Sequence, residues 1–184
     1  MIAAGLRGAI RLAQGKADGL LLVESSAEGV VRSFWAAALC LPGFLALKLL
    51  SWAAEPPAAG FGRGLAAELI GYVVAWAGFA LASRPLAEAQ GRKAEWPRFI
   101  AAWNWANVVQ YLVLLALTVP AALGLPDVLA HGLSLAALGY ALWLEWFVAK
   151  SALQLSGGVA AMFVMLDLLL GIFIGGFVGR LSGG

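Results

Sequence analysis

Long apolar stretches separated by short polar breaks fill most of the chain from about residue 31 onward. Each stretch is close to the roughly 20 residues with which an α-helix crosses a hydrocarbon core about 30 Å thick. Most of them lack the polar face, recurring every 3.6 residues, that is typical of a helix on the surface of a soluble protein. The pattern predicts five transmembrane helices, over about residues 34–52, 65–82, 106–123, 129–149 and 159–181.

Composition supports this class of protein. Hydrophobic residues make up 62% of the chain and charged residues 12%, whereas a soluble domain carries about 25% charged residues. We therefore predict an all-α fold, a polytopic transmembrane helical bundle whose environment is the lipid bilayer. Residues 1–30 are predicted to form a cytoplasmic or interfacial N-terminal segment, and residues 31–184 the five-helix transmembrane domain.

Two features of the N-terminal segment predict local structure. Arg7 and Arg11 lie one helical turn apart among apolar residues, which is typical of a short basic helix on an anionic membrane surface. A solvated terminus is the alternative, and the sequence leaves both open. Ser25 and Glu28 have the spacing of a capping box, so we expect the first long helix to begin there.

The basic residues predict how the chain crosses the membrane. Given five spans, nine lysines and arginines fall on one side and two on the other. The nine are Arg7, Arg11, Lys16, Arg32, Arg84, Arg92, Lys93, Arg98 and Lys150, and the two are Arg63 and Arg180. Because loops rich in lysine and arginine stay in the cytoplasm, the N-terminus is predicted to be cytoplasmic and the C-terminus outside.

Four ionisable side chains fall within the predicted spans: Lys48, Glu68, Glu145 and Asp167. A charge at the centre of a span costs at least about 2.5–3.5 kcal/mol unless it faces protein or water, so these residues are candidates for function. Lys48 and Glu68 are both predicted in the outer half of the bilayer, where they could form an ion pair. The alternative is that each side chain reaches separately to the interface.

Polar residues of the third, fourth and fifth spans predict an intramembrane polar seam. Asn104, Asn107 and Gln110 fall within one arc of the third span. We expect them to face Glu145 of the fourth span and Asp167 of the fifth, since amides and carboxyl groups are costly in lipid. The seam has two interpretations, interhelical hydrogen bonding or a path for an ion or substrate.

Glycines of the last span predict close helix packing. Gly171, Gly175 and Gly179 share a four-residue spacing with Asp167, and such a stripe of small residues lets another helix approach. The neighbour could belong to this chain, to a second copy or to another membrane protein.

Motifs of enzymes and metal sites are missing from the sequence. It contains one histidine and one cysteine, and neither H-E-x-x-H nor C-x-x-C occurs. We expect no catalytic residues, no metal and no cofactor. A net charge of +2 is too small to favour nucleic acid as a partner.

The string Arg32-Ser33-Phe34-Trp35-Ala36-Ala37 is followed by Pro42, and Asp167 interrupts the last apolar segment. In these features and in its five-span layout, the chain resembles bacterial members of the Yip1-domain family. The resemblance implies an integral protein of the bacterial inner membrane that acts as a non-enzymatic organiser or adaptor, here through helix packing. Two alternatives stay open: a small ion- or proton-coupled transporter or channel that uses the polar seam, and an accessory subunit of a larger membrane complex.

Overall fold

The computed structural model describes residues 2–122 and 124–183, and every regular element in them is helical. The α-helices are α1 (Ile2–Ala13), α2 (Ala27–Ser33), α3 (Trp35–Ala54), α4 (Phe61–Ala89), α5 (Trp96–Ala122), α6 (Asp127–Leu153) and α7 (Gly157–Leu181). A short 3-10 helix, Ala17–Leu22, follows α1. The predicted boundaries at residues 1, 123 and 184 lie outside the described residues.

Within residues 2–122 and 124–183, five helices are long and apolar enough to cross a membrane. They are Ala27–Ala54, which joins α2 to α3, Phe61–Ala89, Trp96–Pro120, Asp127–Leu153 and Gly157–Leu181. The prediction of an all-α fold with five candidate membrane spans is confirmed. We call the end of the bundle with the α4–α5 and α6–α7 connections the N-side, because α2 and α3 enter there, and the other end the C-side.

Helix α5 is the central element of the bundle. It packs against α3 and α6, and α1 and α2 also contact it, whereas α4 packs mainly along α7. The two groups meet near the N-side, where fully buried aromatic rings come together from α4, α5 and α7. The Phe99 ring centroid lies 6.1 Å from that of Phe79 and 5.3 Å from that of Phe163, both in edge-to-face geometry, which favours tight packing of aromatic side chains.

The N-terminal segment folds onto the bundle. One face of α1 is buried, with Ala9 and Leu12 fully inaccessible, while Arg7 and Arg11 stay exposed. Gly5 lies so close to Trp105 of α5 that a Cβ atom would overlap the indole, so glycine permits this crossing. The segment is therefore a docked helix with one basic exposed face.

The cap of α2 differs from the predicted one by a residue. Ser26, not Ser25, is the N-cap, and its Oγ accepts a hydrogen bond from the Gly29 amide at 3.0 Å. Glu28 does not complete a capping box, because its carboxylate lies 3.4 Å from Arg32 one turn further along. Ser25 and Ser26 are equally good caps by residue type, so the sequence alone could not choose between them.

Candidate functional site

A cleft separates the α4–α7 pair from the α3–α5 pair. Two adjoining cavities form it, one of about 270 Å³ towards the C-side and one of about 180 Å³ towards the N-side. Their linings share Ala75, Trp76, Tyr111, Gly171 and Ile174, so the two cavities are parts of one space. We call this space the interhelical cleft.

An ion pair lies at the C-side end of the interhelical cleft. The Nζ of Lys48 in α3 is 2.6 Å from Oε1 of Glu68 in α4, and the Glu68 side chain is only 14% exposed. The structure thus brings together two residues that the sequence paired. The charges compensate each other, so this end of the cleft is polar but close to neutral.

Aromatic side chains line the middle of the cleft. The phenol of Tyr72 in α4 donates a hydrogen bond of 2.6 Å to the carbonyl oxygen of Ala37, which ties α4 to α3. The Trp76 ring lies 5.5 Å from that of Trp103 in edge-to-face geometry. The sequence interpretation missed Tyr72 and Trp76. Their four-residue spacing from Glu68 was the available signal, since it places all three on one face of α4.

Two acidic side chains lie near the N-side end of the cleft. Asp167 lines the smaller cavity together with Asn107. Glu145 of α6 lies beside the Trp103 indole and within electrostatic reach of Asp167. Glu145 is 5% exposed, and its Oε1 atom has no hydrogen-bond partner in the described part of the chain. A buried carboxyl oxygen without a partner is costly, which distinguishes this group from an ordinary packing contact.

The predicted polar seam does not form as a continuous network. Asn104 donates to the Ser33 hydroxyl of α2 at 2.7 Å, and Gln110 donates to the Ala141 carbonyl of α6 at 2.9 Å. Asn107 donates to the Trp103 carbonyl of its own helix at 3.0 Å, although it shares a cavity with Asp167. Because α5 is central, neighbouring positions on it face different helices. The expectation that all three amides face the carboxyl groups was wrong.

The glycines of α7 line open space. A Cβ atom at Gly171, Gly175 or Gly179 would meet nothing within 4 Å, and all three residues line the cleft. They therefore do not pack against a helix of this chain, which corrects that part of the expectation; contact with a second copy or another protein stays a prediction. The packing glycine is Gly71 of α4, where a Cβ would lie 2.5 Å from Cγ2 of Val178.

Among the described residues, no cluster contains three or more histidine, cysteine, aspartate or glutamate side chains placed to hold a metal ion. The sole cysteine, Cys40, is buried in α3 with a free thiol.

Comparison with known proteins identifies no relative: no protein-family model, curated protein or solved structure matches the chain. The resemblance to the Yip1-domain family therefore stays a prediction.

Proposed function

We propose that the protein is a small ion-coupled transporter that binds a proton or another monovalent cation between Glu145 and Asp167. The observation that carries the proposal is the buried, unpartnered Oε1 of Glu145 close to a second carboxyl group. Among the described residues, those lining the cavity at Asp167 include no lysine or arginine. Intramembrane carboxyl groups without a basic partner are typical of proton relays and cation pathways.

The alternative of a membrane organiser or adaptor has less support. It rested on close packing of the α7 glycines and on the resemblance to the Yip1-domain family. The glycines face a cavity instead. The seam amides, which would have joined Asp167 in a purely structural network, bond elsewhere. No specific observation supports the third possibility, an accessory subunit of a larger membrane complex. We propose a non-enzymatic role in either case, because transport requires no covalent step.

We further propose that the N-side faces the cytoplasm, in the inner membrane of a bacterium. Support comes from the excess of lysine and arginine in the segments at that end. Two exposed alanines allow a test in a Cys40→Ala background: Ala94 in the α4–α5 connection and Ala58 in the α3–α4 connection. An impermeant thiol reagent added to intact cells should label Ala58→Cys and spare Ala94→Cys. The reverse pattern would invert the orientation.

Flux measured in proteoliposomes tests the transport proposal. Under an imposed membrane potential, we expect movement of protons, Na⁺ or K⁺ that falls to the level of protein-free liposomes in Glu145→Gln and Asp167→Asn. Asp127→Asn is the matched control, because Asp127 lies in the first turn of α6 at the opposite end of the bundle. Absence of flux for all three ions, or flux that is indifferent to both carboxyl substitutions, would rule the proposal out.

A further inference from the structure

The cavity at Asp167 has an unusual combination of walls. Its 180 Å³ are lined by three aromatic residues, Trp76, Trp103 and Tyr111, and by Asn107 and Asp167. The other lining residues are apolar. The second acidic group, Glu145, is a neighbour of Trp103 and has an oxygen without a partner in the described chain. The cavity therefore offers a carboxyl group that can carry negative charge, beside three aromatic side chains.

These walls match one chemical class of ligand. Aromatic faces carry negative potential and attract cations, tryptophan most strongly, and clusters of such rings recognise ammonium groups. A carboxylate at the same place adds a counter-charge. A proton or an inorganic cation would use only the oxygen atoms here, whereas an ammonium group with carbon substituents would contact both the aromatic side chains and the carboxylate.

The size of the cleft fits such a ligand. A cavity of about 150 Å³ is enough for benzene, so the 180 Å³ at Asp167 are large enough for a substituted ammonium group. The adjoining 270 Å³ would receive an apolar body. Gly171 and Gly175 form one wall of that space and leave it free of side chains. At the far end, Lys48 neutralises Glu68, so the ammonium group is drawn to Asp167.

We infer that the interhelical cleft binds an organic cation, an ammonium group on an apolar or aromatic body, with the ammonium group at Asp167 and the body along the glycine wall. The inference rests on the proposed function and extends it, because the organic cation and the transported proton or inorganic cation then compete for the same carboxyl group. Such competition is the basis of exchange transport, in which one cation leaves as the other binds.

Binding of benzyltrimethylammonium to the purified protein in detergent tests the inference. Trp76 and Trp103 line the cavity, so their fluorescence should change saturably on binding. Asp167→Asn should weaken binding of this cation. Neopentylbenzene, which has the same shape without the charge, is the matched neutral probe and should not respond to Asp167→Asn. The inference would be overturned if the wild type showed no saturable binding of the cation, or if the cation bound the wild type and Asp167→Asn with equal affinity.

A pair of glycine variants guards against effects on folding. Gly171→Leu places a side chain in the cleft, whereas Gly176→Leu lies on the same helix outside the cleft lining, and neither position has an atom within 4 Å of its Cβ. Both variants should give the circular dichroism and elution volume of the wild type. Only Gly171→Leu should abolish binding of the cation; binding retained in Gly171→Leu would place the ligand elsewhere.

Two further measurements identify the source of the ammonium group and distinguish failure of the inference from failure of the proposed function. The ammonium group could come from a water-soluble amine or from a lipid headgroup. Displacement of the probe by short-chain phosphatidylethanolamine but not by phosphatidylglycerol would assign it to lipid, and no displacement would assign it to a soluble amine. Either result supports recognition of ammonium.

If proton flux depends on Asp167 but benzyltrimethylammonium does not bind, the inference fails and the proposed function stands. Binding without any flux would contradict the transport proposal alone.

Discussion

The Nζ of Lys48 lies 2.6 Å from Oε1 of Glu68, joining α3 to α4 across the C-side end of the interhelical cleft. These two helices also meet through the Tyr72 hydrogen bond to Ala37 and through the Phe44 and Tyr72 rings, whose centroids are 4.7 Å apart. The ion pair is therefore one of several contacts that hold α3 against α4 along the cleft. Both side chains of the ion pair are partly shielded, at 37% and 14% exposure, so the pair differs from a fully solvated one.

Removing one partner of this pair should destabilise the bundle. We expect Glu68→Gln to lower the free energy of unfolding by about 1–3 kcal/mol, between the effects of breaking exposed and buried pairs. The double variant Lys48→Met with Glu68→Gln should recover part of the loss, because the lysine is no longer left without a counter-charge. Unfolding of the detergent-solubilised protein in SDS measures both. Strictly additive losses in the double variant would show that the two residues do not interact.

Because Gly71 contacts Val178, we expect a larger side chain at Gly71 to destabilise the protein, unlike a larger side chain at the α7 glycines. Gly71→Leu should destabilise the protein by about 1–3 kcal/mol, because the new side chain meets a stiff, buried valine at the α4–α7 contact. Gly176→Leu is the matched control. It has open space around it, and leucine favours a helix over glycine by up to about 1 kcal/mol. Equal thermal stability of Gly71→Leu and wild type would mean that α4 and α7 do not pack as described.

Low pH should loosen the docked N-terminal segment by breaking the ion pair between Arg11 and Asp18. Arg11 donates two hydrogen bonds to Asp18, at 2.9 and 2.5 Å, and they hold the pKa of Asp18 below its usual value. Because the folded-state pKa is lowered, the contribution of Asp18 to stability is complete above the usual pKa of about 3.9. It is lost as the pH falls through the lowered value.

Hydrogen exchange of residues 2–22, corrected for intrinsic rates, measures this effect. Protection should be constant between neutral pH and the usual pKa of Asp18 and should fall below it. Asp18→Asn should reduce protection already at neutral pH and remove this pH dependence, whereas Asp127→Asn should change neither. Full protection in Asp18→Asn would show that the buried face of α1, through Ala9 and Leu12, holds the segment without the ion pair.

Hydropathy predicted the helices well and their ends less well. The predicted second span, 65–82, extends to Ala89 in α4, and the third, from residue 106, begins at Trp96 in α5. Hydropathy marks the part of a helix that is apolar, whereas the helix itself continues while backbone hydrogen bonds and tertiary contacts support it. Here the N-side ends stay helical because aromatic residues such as Phe99 pack between helices there.

Partners across the bundle were harder to predict than faces of single helices. Helical periodicity alone places Asn104 and Gln110 on one arc of α5. The helix that each position faces also depends on how the helices are arranged in the bundle, which periodicity does not reveal. Gly175 and Gly71 illustrate the same limit. Spacing showed that Gly175 belongs to a smooth face, yet only tertiary structure shows that this face borders a cavity while Gly71 meets Val178.

If cations reach Asp167 through the interhelical cleft, a thiol at that position should be accessible to a cationic reagent. In a Cys40→Ala background, Asp167→Cys should react with a cationic, water-soluble methanethiosulfonate, and benzyltrimethylammonium should slow the reaction. Phe173→Cys is the control, since Phe173 is 75% exposed on the outer surface of α7, where lipid disfavours the reactive thiolate. If Asp167→Cys proves as unreactive as Phe173→Cys, the cleft is closed to cations, and both the proposed transport and the proposed binding at Asp167 are wrong.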